Sequence, residues 1–279
     1  MRQIAFYRQF SFNVGRLSSY LKCITDQPTA TDQLIGAEIG VNPYLITGLR
    51  GWSRKIGALH GKQNESKRGS SHVVSPVWKI IHQHDPYWGD PGTLWIAHYF
   101  LCIDHIERAE VWYRCFNNIL FPGISLTSDE IVDQLFQYIE ATDTHLRGVK
   151  RDAQELLSMY TRPQALGALG LLSSHGSGAK RQFSACASAG PPDLIAAYML
   201  FDRWDRRAAG EGSVRLSALG RDPEWVGRIC LMPPGAIREL VDRLERRGLV
   251  AFADTQFEPV TRRYRGDAVE LLRRYYAER

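Results

Sequence analysis

The stretch of sequence that decides the fold lies at residues 31–56 and reads TDQLIGAEIGVNPYLITGLRGWSRKI. Gly40 readily takes the left-handed conformation in which helices end, so it predicts the end of a helix that begins near Thr31. Asn42 can cap the next helix with its side chain, and Pro43 suits the first position of that helix. The stretch therefore predicts two helices joined by a tight turn, as in a helix-turn-helix motif.

The second of these predicted helices has two different faces. One face is apolar at spacings of 4, 3 and 4 residues, which predicts that it is buried: Leu45, Leu49, Trp52 and Ile56. Arg50 and Arg54 lie on another face, and Lys55 follows them. No Asp or Glu occurs from Ile39 to Asn64. Because carboxylates are repelled by phosphates, this composition favours a helix that contacts nucleic acid.

The basic character continues beyond this helix. Lys62, Lys67 and Arg68 lie in a Gly- and Ser-rich stretch, which predicts a wing that reaches for a phosphate backbone. Residues 1–80 hold 11 Lys and Arg against 4 Asp and Glu, whereas residues 81–187 hold 8 against 12. A polyanionic partner is therefore expected first at the N-terminal part. The alternative is a solvated basic helix that packs only on its own domain.

Periodicity along the rest of the chain predicts a mainly α-helical protein with small β-ribbons. We divide it into a winged-helix-like domain at residues 1–80, a helical bundle at 81–170, a linker at 171–192 and a winged-helix domain at 193–279. The linker is predicted from its small, polar, Gly- and Ser-rich composition.

The C-terminal part offers two charged surfaces. The predicted helix from Pro234 to Gly248 alternates Arg with Asp and Glu, which is typical of a salt-bridged face or of a contact between protein subunits. This helix gives the chain a way to form oligomers through its C-terminal domain. The basic cluster after the second strand is the better candidate for phosphate contact, and it consists of Arg262, Arg263 and Arg265.

The densest cluster of candidate catalytic groups lies at residues 82–90, HQHDPYWGD. If the chain cuts DNA, Asp85 and Asp90 are the carboxylates to test first, with a divalent metal such as Mg²⁺ or Mn²⁺ as the cofactor. The spacing matches no strong metal-binding template, and each Asp precedes a proline, so both also suit turns or helix caps. His98 shares an apolar face with Leu94 and Leu101, which predicts a hydrogen-bonded core histidine.

Several other classes of protein are not supported. The 279 residues are 44% hydrophobic and 23% charged, and they contain no P-loop, no GxSxG and no apolar run long enough to span a membrane. The N-terminal residues lack the apolar core of a signal peptide. Five scattered cysteines without a CxxC pair fit a reducing compartment, so we expect a cytoplasmic protein with no membrane partner.

Three blocks occur in order over roughly residues 10–165: IGVN at 39–42 with LRGW at 49–52, DPYWGDPGTLWIAHY at 85–99, and VKRD at 149–152. In these blocks the chain resembles a bacterial family, formerly a domain of unknown function, that forms the SspB-type component of DNA phosphorothioation systems. The resemblance implies binding of double-stranded DNA and nicking of one strand, which opens the backbone for sulfur insertion. It also implies three partners: a cysteine desulfurase, an adenylating sulfur-transfer enzyme and an ATPase.

The chain departs from the family pattern at several positions. Tyr7-Arg8-Gln9 replaces a His-Glu-Thr-like triplet, Arg16 replaces a Trp, and Thr47 stands where an Arg is frequent. Arg50 is the position in the helix-turn-helix whose contact can be carried over. We add Arg16, Lys150 and Arg151 as basic candidates, with an Arg151–Glu155 ion pair as the alternative for the last. Two other functions remain open: a non-catalytic winged-helix regulator or adaptor, and an interaction scaffold.

Overall fold

The structure, a computed structural model, describes residues 4–7, 10–59, 72–139 and 143–279. It is mainly helical with two small antiparallel sheets, which confirms the predicted fold class at this level. The chain divides into two compact units, which are residues 1–113 with 128–169 and residues 114–127 with 170–279. Among the described helices, none combines the length and the apolar composition that a membrane crossing requires.

The first unit is helical throughout the part that the structure describes. Its helices are α1 (Val14–Asp26), α2 (Asp32–Ile39), α3 (Pro43–Lys55), α4 (Pro76–His84), α5 (Pro91–Cys102), α6 (Glu110–Arg114), α7 (Ser128–Leu135) and α8 (Asp143–Met159).

The tight turn between α2 and α3 forms as the sequence predicts. Gly40 ends α2 in the left-handed conformation, with φ of 69°. The Asn42 side chain accepts a hydrogen bond from the Leu45 N–H at 2.9 Å and so caps α3. The turn also depends on Gly36, because a Cβ atom there would lie 2.6 Å from the carbonyl oxygen of Val41.

A segment that precedes α1 packs on the glycines of α3. A Cβ atom at Gly48 would lie 2.9 Å from the carbonyl oxygen of Tyr7, and one at Gly51 would lie 2.8 Å from that of Phe6. The Trp52 indole N–H donates to the carbonyl oxygen of Phe10 at 2.8 Å. The predicted apolar face of α3 is buried, and the glycines bring this N-terminal segment close against the helix.

Helix α5 forms the centre of the first unit and is buried on almost every side. His98 has no exposed surface, and its Nδ1 lies 2.6 Å from the Tyr160 hydroxyl, with the Cys102 sulfur at 3.7 Å. The prediction of a hydrogen-bonded core histidine is confirmed.

The second unit contains both sheets. Its elements are a π-helix (Cys115–Ile119), β1 (Ser125–Thr127), β2 (Leu172–His175), β3 (Gln182–Ala185), α9 (Asp193–Arg207), β4 (Ser213–Arg215), α10 (Leu216–Arg221), α11 (Val226–Ile229), α12 (Pro234–Arg246), β5 (Val250–Phe252), β6 (Pro259–Arg262) and α13 (Ala268–Ala277). The strands are antiparallel and lie in the orders β1-β3-β2 and β4-β6-β5.

Two expected boundaries differ from the structure. The proposed linker at 171–192 contains β2 and β3, because Leu172 and Phe183 alternate with polar neighbours and bury one side of a hairpin. The short segment β1, which precedes α7 in the chain, pairs with β3 and completes this sheet. No division occurs at residue 80, since the basic N-terminal helices and most of the predicted bundle share one unit.

Candidate nucleic-acid interface

The outward face of α3 carries Thr47, Arg50 and Arg54, and none of these is fully buried. The guanidinium of Arg50 forms an ion pair with Asp32 of α2, and its side chain is 13% exposed. Arg54 makes no ion pair with any residue that the structure describes. The structure therefore leaves Arg54 as the cation of α3 that can reach a phosphate without breaking an ion pair.

Lys55 does not face solvent. Its side chain is 2% exposed, and its ammonium group donates to the carbonyl oxygen of Arg108 at 3.2 Å and lies 3.9 Å from the carboxylate of Glu107. Burial lowers the pKa of Lys55 to about 8, and the nearby Glu107 opposes this shift. We therefore leave Lys55 out of the interface, because a phosphate contact needs an accessible cation.

The charges behind α3 form a buried network that positions the helix. Asp152 of α8 accepts hydrogen bonds from the Ala5 N–H at 2.9 and 3.1 Å, and Glu155 accepts one from the Phe12 N–H at 2.8 Å. Burial raises the pKa of Asp152 to about 7, although the Ala5 hydrogen bond and the Lys55 charge oppose the shift. These carboxylates fasten the N-terminal segment, and the segment in turn packs on α3.

Three predicted cations lie on the surface of the first unit, on α1 and α8: Arg16, Lys150 and Arg151. Glu155 pairs with Arg162 at 3.1 Å, so the alternative Arg151–Glu155 pair is not what this carboxylate forms. Sequence reasoning missed Arg147, which is also exposed. Its spacing of four residues before Arg151 was the signal that could have found it.

The predicted wing cations Lys62, Lys67 and Arg68 lie outside the described residues. The structure does describe the two residues that bracket this region, Leu59 and Val74, which form an antiparallel bridge.

Asp85 and Asp90 hold a turn and a helix end. Asp85 accepts hydrogen bonds from the N–H groups of Gly89 at 2.8 Å and Asp90 at 3.0 Å, and also from the Thr93 hydroxyl at 2.6 Å. Asp90 caps α5 by accepting from the Gly92 N–H at 2.7 Å. Within the part of the chain that the structure describes, no three His, Cys, Asp or Glu side chains come together as metal ligands. Asp85 and Asp90 thus have structural roles in a turn and a helix cap, and their catalytic and metal-binding roles stay predictions.

Two arginines of α12, and Arg247 just after the helix, are engaged in ion pairs. Arg238 pairs with Asp242 at 3.2 Å, and Asp193 receives both Arg243 at 2.7 Å and Arg247 at 3.3 Å. The salt-bridged face that the sequence pattern favours is thus present, and much of it joins α12 to Asp193 at the start of α9.

The basic cluster at the end of β6 contains two kinds of residue. Arg262 forms an ion pair with Asp205 and lies over the Phe201 ring, 4.9 Å from its centroid. Arg263 and Arg265 are exposed. These two, rather than Arg262, are placed to meet a phosphate.

Sequence reasoning missed the carboxylates that neutralise the predicted cations. Asp32 precedes Arg50 by 18 residues and Asp205 precedes Arg262 by 57, so no local spacing signals either pair. A helix-turn-helix places its first helix across its second, and this was the available hint that an acid in α2 could meet α3.

Comparisons with known proteins identify a family and two solved structures with a similar fold. A family described as "Protein of unknown function (DUF4007)" matches residues 21–276. Two solved structures, described as "Magnesium ion-bound SspB crystal structure" and "SspB crystal structure", give TM-scores of 0.80 and 0.78. Each is 18% identical in sequence and covers 99% of this chain and 88% of its own. At this identity the likeness establishes the fold. No curated protein matches the chain.

Proposed function

The chain belongs to the DUF4007 family, and from this membership we propose that it is a DNA-binding subunit of a bacterial DNA phosphorothioate modification system. The sequence blocks that resemble the SspB-type component and the fold shared with the SspB structures support this proposal together. The shared fold alone carries no activity, because one fold hosts many functions.

Two structural motifs carry the proposed DNA binding. Helices α2 and α3 act as a helix-turn-helix, with α3 as the helix that approaches DNA. Elements α9 to α13 act as a winged helix, since four helices, α9 to α12, precede a strand pair that joins β4 in the order β4-β6-β5. Arg263 and Arg265 then lie just after the wing strand β6, where they can meet the backbone.

The observation that carries DNA binding is the outward face of α3. This helix has no carboxylate of its own, it is capped and fixed at its N-terminus by Asn42, and it presents Arg54 without an ion pair among the described residues. Arg147, Lys150 and Arg151 add exposed positive charge on α8 of the same unit. Exposed cations on a rigid helix release counterions from DNA when they meet phosphates.

Binding is tested by fluorescence anisotropy with a labelled DNA duplex over a series of salt concentrations. Arg54→Ala should weaken binding and lower the salt slope by about one, because one phosphate contact is lost. Arg246→Ala, which removes an exposed arginine from the last turn of α12, is the matched control. Equal binding by Arg54→Ala and wild type at every salt concentration would contradict the role of α3.

Strand nicking is a separate part of the proposal. Supercoiled plasmid is incubated with the purified chain and Mg²⁺, Mn²⁺ or EDTA, and Mg²⁺ is tested first because one of the similar structures is described as magnesium ion-bound. Open-circle product that requires a metal supports a nickase. Its absence, with DNA binding intact, supports the alternative of a non-catalytic adaptor. In that case the desulfurase, the adenylating enzyme and the ATPase are the partners to which the chain presents DNA.

A further inference from the structure

The second unit contains a groove of about 660 Å³ between α10, the start of α12 and the loop after the π-helix. Its walls are largely apolar: Phe121, Leu216, Met232, Pro234 and Ile237. This volume and lining suit a short peptide or a small molecule, since binding pockets are concave, mostly apolar and usually pre-formed.

One wall of the groove is held open by a buried arginine. Arg228 is 2% exposed, and it donates to the carbonyl oxygens of Leu120 at 2.7 Å and Asn117 at 3.2 Å. Its guanidinium also lies 4.0 Å from the centroid of the Phe121 ring. These contacts fix Phe121 with 49% of its surface exposed. The fixed, half-exposed ring gives the groove a rigid apolar wall on which a bound molecule can pack.

The edge of the groove carries one cation that makes no ion pair among the described residues, Arg221. Arg238 also lines the edge but pairs with Asp242 at 3.2 Å, and Glu258 adds one carboxylate. Helix α12 begins here after Pro233, and no described side chain caps its first turn. The first N–H groups of a helix that lacks a cap attract a negative group, as does Arg221. The groove thus combines an apolar floor with an edge that complements a carboxylate.

We propose that this groove binds an apolar peptide segment that carries an acidic residue and belongs to a partner protein. DNA fits the groove less well, because its phosphates gain nothing from the apolar walls. The proposal is independent of DNA binding by α3, which lies in the other unit. It gives the second unit a groove for a partner protein in addition to Arg263 and Arg265, the residues of this unit proposed to meet DNA.

The test uses the full chain and a phage-displayed library of roughly 12-residue random peptides, a length that suits groove recognition. Ser217 is exposed and lines the groove, so the indole of Ser217→Trp should fill it. This variant is added in soluble form during selection, where it removes phage that bind outside the groove. Selected peptides are then labelled with fluorescein and titrated by anisotropy. Arg221→Glu probes the charge of the edge, and Arg246→Glu is a control of the same type on α12 away from the groove.

We expect the selected peptides to combine apolar residues with Asp or Glu. Ser217→Trp should weaken their binding about tenfold or more, Arg221→Glu at least about threefold, and Arg246→Glu less than about twofold. Thermal melting checks that each variant is folded. Since Arg221 is exposed, its variant keeps the test informative even if Ser217→Trp does not fold.

Three results would overturn the proposal. The first is a selection that gives no peptide sensitive to either groove variant, or only peptides rich in Lys and Arg. The second is a concentration-dependent dimer in sedimentation that Ser217→Trp abolishes, which would assign the groove to a second copy of the chain. The third is loss of duplex binding in Ser217→Trp, which would assign the groove to DNA. Failure of duplex binding in the wild type would refute the DNA proposal and leave the peptide result standing.

Discussion

Helices α3 and α12 look alike until their charges are compared. Each has 13 residues, begins with a proline and buries one apolar face against its own unit. Helix α3 contains Arg50, Arg54 and Lys55 with no acid, for a net charge of +3. Helix α12 contains three arginines and three acids, for a net charge of zero.

The structure reduces the difference in available charge between the two helices. Arg50 forms an ion pair with Asp32 and Lys55 is buried, so Arg54 is the cation of α3 that remains available to a binding partner. In α12, Arg238 pairs with Asp242 and Arg243 pairs with Asp193. The groove beside the N-terminus of α12 is largely apolar. The comparison teaches that charge along a helix becomes charge on a surface only where no carboxylate lies within reach. It also suggests a division of tasks, with nucleic acid on α3 and protein beside α12.

The largest expected effect concerns the buried carboxylate that holds α3 in place. The pKa of Asp152 is raised from 3.8 to about 7, so the native state binds this proton more tightly than the unfolded chain does. Its contribution to stability is therefore full at low pH and is lost as the pH rises towards about 7. The unfolding free energy should fall by an amount on the order of 4 kcal/mol from well below about pH 4 to well above about pH 7, and Asp152→Asn should remove this part of the fall.

Urea unfolding at about pH 5 and about pH 7.5 measures the part of this fall that lies between the two pH values, roughly 2.5 kcal/mol. Asp242→Asn, which removes an acid from the surface of α12, is the control and should follow the wild type. If the unfolding free energy of Asp152→Asn falls as much as that of the wild type over this interval, the position of α3 does not depend on the protonation of this carboxylate.

The second prediction gives α3 the character of α12. Thr47→Glu with Arg54→Glu places two acids on its outward face. Duplex affinity should fall roughly a hundredfold, about 3 kcal/mol, because a phosphate contact is lost and two repulsive charges are gained. The same reversal on α12, Arg246→Glu, should change affinity far less. Comparable losses from the two helices would erase the distinction between them.

Local chemistry explains which parts of this contrast could be predicted from the sequence. The Gly40 helix end, the Asn42 cap and the buried apolar face of α3 depend on neighbours within a few residues, and all are confirmed. His98 is likewise confirmed as a core residue from its place on an apolar face.

Contacts between distant residues could not be predicted in the same way. The composition of the β2–β3 hairpin predicts a linker, because one side of the hairpin is polar and its short strands resemble a loop in composition. The burial of Lys55 depends on Arg108 and Glu107, which are more than 50 residues away. The groove beside α12 depends on Phe121, which the chain supplies from far upstream.

The third prediction concerns the glycines near the two helices. Gly36→Ala places a Cβ atom 2.6 Å from the backbone oxygen of Val41, which must then move. We expect a loss of roughly 2 kcal/mol in unfolding free energy, in the range of overpacked sites. At Gly235, near the start of α12, nothing lies within 4 Å of such an atom, so Gly235→Ala should be neutral or stabilising by up to about 1 kcal/mol. Chemical denaturation of both variants tests the pair, and a neutral Gly36→Ala would show that the turn before α3 can relax.

The smallest expected effect tests whether an arginine on α12 binds DNA when its ion pair is removed. Asp193→Asn removes the carboxylate that holds Arg243 and Arg247, and all three side chains are partly exposed. Such pairs contribute about 1 kcal/mol or less, so unfolding free energy should change little. The substitution releases Arg243, whereas Arg247 keeps its ion pair with Glu278 at 3.1 Å, so the local positive charge beside α12 rises. If α12 faces DNA, duplex affinity and the salt slope should both increase, by about one unit of slope for each new contact. We expect neither to change, because the DNA contacts proposed for this unit are Arg263 and Arg265, whereas α12 adjoins the groove proposed for a partner protein. A steeper salt slope in Asp193→Asn would instead make α12 a second DNA helix that its own acids restrain.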